Sequence, residues 1–182
     1  DRITDRVNER EFFSSLLKAR VTLLRDVGAA MSPFNAFMFI KGLETLPLRM
    51  RQQCANAAAI AQLLGKNSKV ANVIYPSAQT GEAKRRADTY LKGGHGALLG
   101  FELTGGQESG RAFIDGLKML YHVANIGDAR SLAIHPASTT HSQLTVEEQA
   151  QAGVTPGYVR LSLGIEHIDD IIADIDQALA KA

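Results

Sequence analysis

The chain has 182 residues, 45% of them hydrophobic and 21% charged, and its 20 Lys+Arg against 19 Asp+Glu leave a formal net charge of +1 at pH 7. This profile suits a globular protein with core enough for about one domain, and it offers no excess of basic residues for a nucleic-acid backbone or an anionic lipid surface. A single cysteine, Cys54, excludes an intramolecular disulfide and a paired-cysteine zinc site, and no run nears the roughly 20 apolar residues of a membrane span.

The opening Asp1-Arg2-Ile3-Thr4-Asp5-Arg6 reads as neither a signal nor a transit peptide and lacks an initiator Met. A reducing, cytoplasmic compartment and no membrane partner are therefore expected, and the chain is open to being a piece of something longer. Phe12, Phe13, Leu16, Leu17, Ala19, Leu23 and Leu24 recur at helical spacing and predict a helix over the first thirty residues, stopped by Gly28. Ser32 suits an N-cap and Pro33 a first helical position, and from there the pattern stays helical to about Leu64 through Phe37, Leu43, Leu46, Met50, Ala57 and Ile60. Pro47 lies inside this long element and predicts a kink.

Beyond Gly65, short β-branched or apolar runs alternate with helical segments. Strands are expected near 70–75, 97–104, 120–124, 132–134 and 158–163, and helices near 82–91, 109–117, 145–151 and 168–180. In the last of these Ile168, Ile171, Ile172, Ile175 and Leu179 sit three or four apart, while Asp169, Asp170 and Asp174 favour the N-terminal half of the helix dipole. The order of elements predicts an α+β fold, a small antiparallel-type sheet with helices on one face, preceded by a long kinked helix. The expected divisions are a helical tail at 1–30, a connecting helix at 31–65 and an α+β domain at 66–182.

Most candidate chemistry has an ordinary explanation. Gly94-His95-Gly96-Ala97-Leu98-Leu99-Gly100 misses the dinucleotide fingerprint and leads into a strand instead of following one, so turn glycines are the better account. His95, His122, His135, His141 and His167 show no metal-ligand spacing, and no metal is expected. Lys84-Arg85-Arg86 reads as a solvated helix face.

Arg160 differs. Alternation over 158–165 sends Val159, Leu161, Leu163 and Ile165 to one face and Tyr158, Arg160, Ser162 and Gly164 to the other, so the guanidinium has small or hydroxyl-bearing neighbours and room before its planar fork. Such a fork matches a carboxylate through two parallel hydrogen bonds. An edge-strand arginine paired with a surface acid explains the same pattern. The segment from Ala124 to His141 joins two strand-like pieces through Gly127-Asp128 and ends in hydroxyls and imidazoles, which suits either a polar-networked turn or a binding loop.

Together with Ser32-Pro33-Phe34-Asn35-Ala36-Phe37 and the stretch from Gly42 to Met50, the segments His135-Pro136-Ala137-Ser138-Thr139-Thr140-His141 and Val159-Arg160-Leu161-Ser162-Leu163-Gly164-Ile165-Glu166 resemble the C-terminal part of the Cys/Met-metabolism family of pyridoxal-phosphate enzymes. Asn125 and Phe34-Asn35-Ala36 are similar to its sulfhydrylase branch. The resemblance implies the C-terminal domain of a fold-type I enzyme that uses pyridoxal phosphate to replace the acetate of O-acetylhomoserine with sulfide or a thiol, as a homo-oligomer, a tetramer in this family. It implies that Arg160 binds the substrate carboxylate, that the main chain of Asn125 helps hold it and that Thr140 lines the same pocket. It also implies that the cofactor lysine belongs to an upstream domain, so no catalytic or cofactor-binding residue is expected in the chain and the chain alone is expected to be inactive. A sibling such as a methionine γ-lyase, or a free-standing non-catalytic amino-acid-binding or assembly module, remains an alternative.

Overall fold

The computed structural model describes the backbone of residues 9–182 and the side chains of residues 12–182, so the opening residues and the start of the first expected helix lie outside the described residues. The chain divides into two compact units, one ending at Glu44 and the other spanning Thr45–Ala182.

In the first unit α1 (Glu9–Lys18) runs into a π-helical stretch, Ala19–Val27, which ends where Gly28 adopts φ 74° and donates its N–H to Leu23 O at 3.1 Å. Helix α2 (Pro33–Glu44) starts as expected: Ser32 Oγ accepts the Asn35 N–H at 3.2 Å and Pro33 opens the first turn. No residue of α2 is buried, and its Phe34 is 69% exposed.

The single kinked helix expected over 31–65 is instead two helices. Thr45, at φ −101° and ψ 1°, leaves the helical region, and α3 (Leu46–Leu64) begins anew with Pro47 in its first turn. A proline there needs no N–H partner, whereas inside a continuous helix its ring would press on the Leu43 carbonyl.

Five strands build one sheet in the order β1-β2-β5-β4-β3: β1 (Val70–Ile74), β2 (Leu98–Leu103), β3 (Tyr121–His122), β4 (Leu132–Ile134) and β5 (Tyr158–Ser162). Three of its pairings are antiparallel, and the outermost, β3 with β4, is parallel, so the sheet is mixed where an antiparallel-type one was expected. One face carries Val73, Leu99, Phe101, Leu103, Ala133, Val159 and Leu161, all buried in a core with Ile60 and Leu64 of α3, Phe113 of α5 (Gly106–Gly116) and Ile171 and Ile175 of α7 (Ile168–Leu179). Helix α4 (Gly81–Tyr90) follows β1, and α6 (Val146–Gln151) opens on a capping box in which Thr145 Oγ1 accepts the Glu148 N–H and Glu148 Oε2 accepts the Thr145 N–H.

Two side chains tie α7 to the rest of the fold, one at its C-terminal end and one at its middle. Lys69 Nζ donates to the carbonyls of Leu179, Ala180 and Ala182, neutralising the negative end of the helix. Asp174, expected to serve the dipole, does something else: it is 6% exposed, and its carboxylate accepts the N–H groups of Lys118 at 2.8 Å, Met119 at 2.9 Å and Leu120 at 3.0 Å. The loop that leads into β3 is thereby tied to α7. No helix among the described residues is long and apolar enough to cross a membrane.

Candidate functional site

The side of the sheet turned away from α3, α5 and α7 carries Tyr158, Arg160 and Ser162 of β5, opposite Glu102, Gly100 and Leu98 of β2. β5 lies between β2 and β4, so Arg160 is a central-strand arginine and the edge-strand explanation falls. Gly100 stands directly across from Arg160, and a Cβ there would come within 2.4 Å of the Tyr158 ring. Glycine at 100 thus lets the Tyr158 ring lie against the sheet beside the guanidinium. Burial raises the Tyr158 phenol above its ordinary value, and the nearby Arg160 charge works against that rise. A neutral phenol therefore sits next to a permanent cation.

Arg160 is half-buried, and its Nη2 donates to the main-chain carbonyl of Asn125 at 3.4 Å. None of the ion pairs among the described residues involves it. A guanidinium offers five donors, so one carbonyl leaves the fork able to grip a carboxylate. Two residues along the same strand face, Ser162 borders a cavity of about 540 Å³ lined also by Met50, Gln53, His95, Leu98 and Ile126. Tyr75 shores up its wall by donating to Gly96 O at 3.0 Å; burial, with a smaller contribution from Cys54, pushes the phenol up to about 12 and keeps it protonated. The arrangement suits a small amino acid, with its carboxylate at Arg160 and its side chain in an apolar hollow.

Of the residues singled out from sequence, Arg160 and Asn125 are brought together. Thr140 is not joined to them: its exposed hydroxyl is 2.9 Å from His141 Nδ1, in the loop that follows the short 3₁₀ turn Pro136–Ser138. Ile165, expected on the core face, is 43% exposed because β5 ends at Ser162 and the chain peels away to bond Ala129 O. Sequence reasoning passed over the residues that fix the loop. Gln53 and Asn56 of α3 are 1% exposed and reach across to Asp128 O at 2.7 Å and to Gly164 O and Glu166 O at 3.0 Å each. Their signal was two amides three apart on the stripe that continues as Ala57, Ile60 and Leu64.

Residues 7–180 match the family described as Cys/Met metabolism PLP-dependent enzyme. The chain is 54% identical over 165 residues to an O-acetyl-L-homoserine sulfhydrylase of Leptospira meyeri, covering 90% of this chain and 37% of that protein. It is 48% identical over 175 residues to the homocysteine synthase of Schizosaccharomyces pombe, covering 94% of this chain and 41% of that one. A crystal structure described as an O-acetylhomoserine (thiol)-lyase of Campylobacter jejuni, which carries a pyridoxyl-lysine 5'-monophosphate, superposes with a TM-score of 0.78 at 39% identity over 90% of this chain and 39% of its own. The chain thus spans well under half the length of these relatives.

The Arg160 fork fits a carboxylate, and the described strands and cavity around it offer no lysine for covalent attachment of that cofactor. Lys41 and Lys84 are paired with Glu44 and Asp88, Lys92 bonds the Asp88 carbonyl, and Lys69 caps α7.

Proposed function

Because the chain belongs to the Cys/Met metabolism PLP-dependent enzyme family, we propose that it is the substrate-carboxylate-binding, C-terminal part of an O-acetylhomoserine sulfhydrylase, which makes homocysteine from O-acetylhomoserine and sulfide. The observation that carries this reading is Arg160: a central-strand guanidinium, held by the Asn125 carbonyl, beside a small apolar cavity and paired with no acid among the described residues. Its work is to bind the amino acid and fix the orientation of its Cα, so that the bond to be broken is presented in one geometry. Pyridoxal phosphate supplies the electron sink in this family, and its lysine is assigned to another part of the enzyme. Thr140 is proposed as a more distant member of the pocket.

On the same reading residues 1–30 are the helical tail of a large domain, 31–65 the connection to it and 66–182 the C-terminal domain. The enzyme is proposed to be a cytoplasmic homo-oligomer, and the single free Cys54 agrees with a reducing compartment.

The test is Arg160→Lys in the intact enzyme. Lysine keeps the charge but loses the fork, which should cost about 2–3 kcal/mol, roughly a 100-fold drop in kcat/KM for O-acetylhomoserine. Cofactor absorbance should be unchanged. An unaltered KM, loss of cofactor, or turnover that ignores sulfide would overturn the proposal.

A further inference from the structure

The loop that presents Asn125 is held almost entirely by polar contacts. Residues 121–130 are all exposed, so burial does little to fix them, yet the backbone is tied at four places between 127 and 131. The Gly127 N–H donates to Ser162 Oγ at 3.1 Å, Asp128 O accepts from Gln53, and Ala129 O accepts the Ile165 N–H at 2.9 Å. The fourth tie is the densest. Glu166 takes the Ser131 N–H on Oε1 at 2.6 Å and the Ser131 hydroxyl on Oε2 at 2.8 Å, and Ser131 Oγ accepts the Gly164 N–H at 2.9 Å. Ser131 is completely buried, so these groups have no water to turn to if a partner is lost. Only glycine allows the approach: a Cβ on Gly164 would lie 2.4 Å from Ala129 O and 2.5 Å from the Arg130 carbonyl carbon.

We propose that Glu166 and Ser131 are positioning residues for substrate binding, a latch that keeps loop 125–131 in register with the tail of β5 and so aims Arg160 through the Asn125 carbonyl. The inference rests on the carboxylate reading of Arg160. The Arg160 to Asn125 contact is already long at 3.4 Å, so a loop shift of a few tenths of an ångström breaks it and frees the guanidinium to swing. Glu166 touches neither substrate nor cofactor on this account. Its charge strengthens two hydrogen bonds that start from one buried serine.

Glu166→Gln, which keeps the length but removes the charge and one acceptor, and Ser131→Ala, which removes the hydroxyl, should each raise KM for O-acetylhomoserine about 10-fold in the intact enzyme. kcat, KM for sulfide and cofactor absorbance should change little. Combined with Arg160→Lys, either substitution should add almost nothing further, because both act through one interaction. Hydrogen exchange followed by mass spectrometry should show loop 125–131 losing protection while β2 and β5 keep theirs. Unchanged loop protection, or a fall in melting temperature with KM unaltered, overturns the latch. If Arg160→Lys alone leaves KM untouched while loop exchange rises in the Glu166 variant, the carboxylate reading fails and the latch stands as a loop anchor without a substrate role.

Discussion

His135 is 1% exposed, with both ring nitrogens committed: Nε2 lies 2.7 Å from Pro156 O and Nδ1 2.8 Å from Ser138 Oγ. A carbonyl can only accept, so the neutral ring carries its proton on Nε2 and takes the serine hydroxyl on Nδ1. Burial lowers its pKa below the ordinary value; the Pro156 carbonyl opposes that, and the charges of Arg111 and His122 add to the lowering. A histidine whose folded pKa is depressed binds its proton more readily when unfolded. Stability is therefore complete above about pH 6.5 and falls as pH drops from there toward the folded pKa, by at most about 1.4 kcal/mol per pH unit. Urea unfolding at pH 7.5 and 5.5 should show this loss, and a His135→Gln variant should show less of it; equal slopes would clear His135. The adjoining glycine is as exacting, since a Cβ on Gly110 would meet the His135 ring at 2.5 Å. At this scale the alternation of β5 made the face of Arg160 legible in sequence. What the guanidinium meets was not legible, because Asn125 reaches it from 35 residues away through a loop whose course is set by buried amides on another helix.

At the level of elements, periodicity located every strand of the sheet to within a few residues and identified the core stripe of α7, because burial on one face writes a period of 2.0 or 3.6 into the sequence. It says which face of a strand is covered, never which strand lies beside it, so the order β1-β2-β5-β4-β3 and the parallel β3–β4 pair stayed invisible. Asp174 shows the same limit. It occupies an interior helical position next to Ile175, and only the fold reveals that three N–H groups of the 118–120 turn converge on it. Asp174→Ala should strand those donors and cost about 3 kcal/mol, a lower urea midpoint at nearly constant m. Asp169→Ala, at an exposed position in the first turn, should cost well under 1 kcal/mol. Equal effects from the two substitutions would show that the convergence on Asp174 contributes nothing.

Over the whole molecule, the unit Thr45–Ala182 holds the buried core, while large apolar side chains of the first unit stay exposed, Phe13 at 68% and Phe34 at 69% among them. Exposed apolar surface of that kind promotes association. The 182-residue chain should bind a hydrophobic dye strongly and sediment with concentration-dependent mass, whereas a 45–182 chain should do neither; equal behaviour would place the sticky surface elsewhere. The strand order also bears on how the protein is made. β1 and β2 are neighbours in the sheet and in the chain, but β5, the last of these five strands to emerge from the ribosome, must slot between β2 and β4. Pairings over such sequence separations close late and slowly. The strand that carries Arg160 consequently joins the sheet only after the other four have been made, and a ribosome that stalls before Arg160 leaves an open seam between β2 and β4 for chaperones to guard.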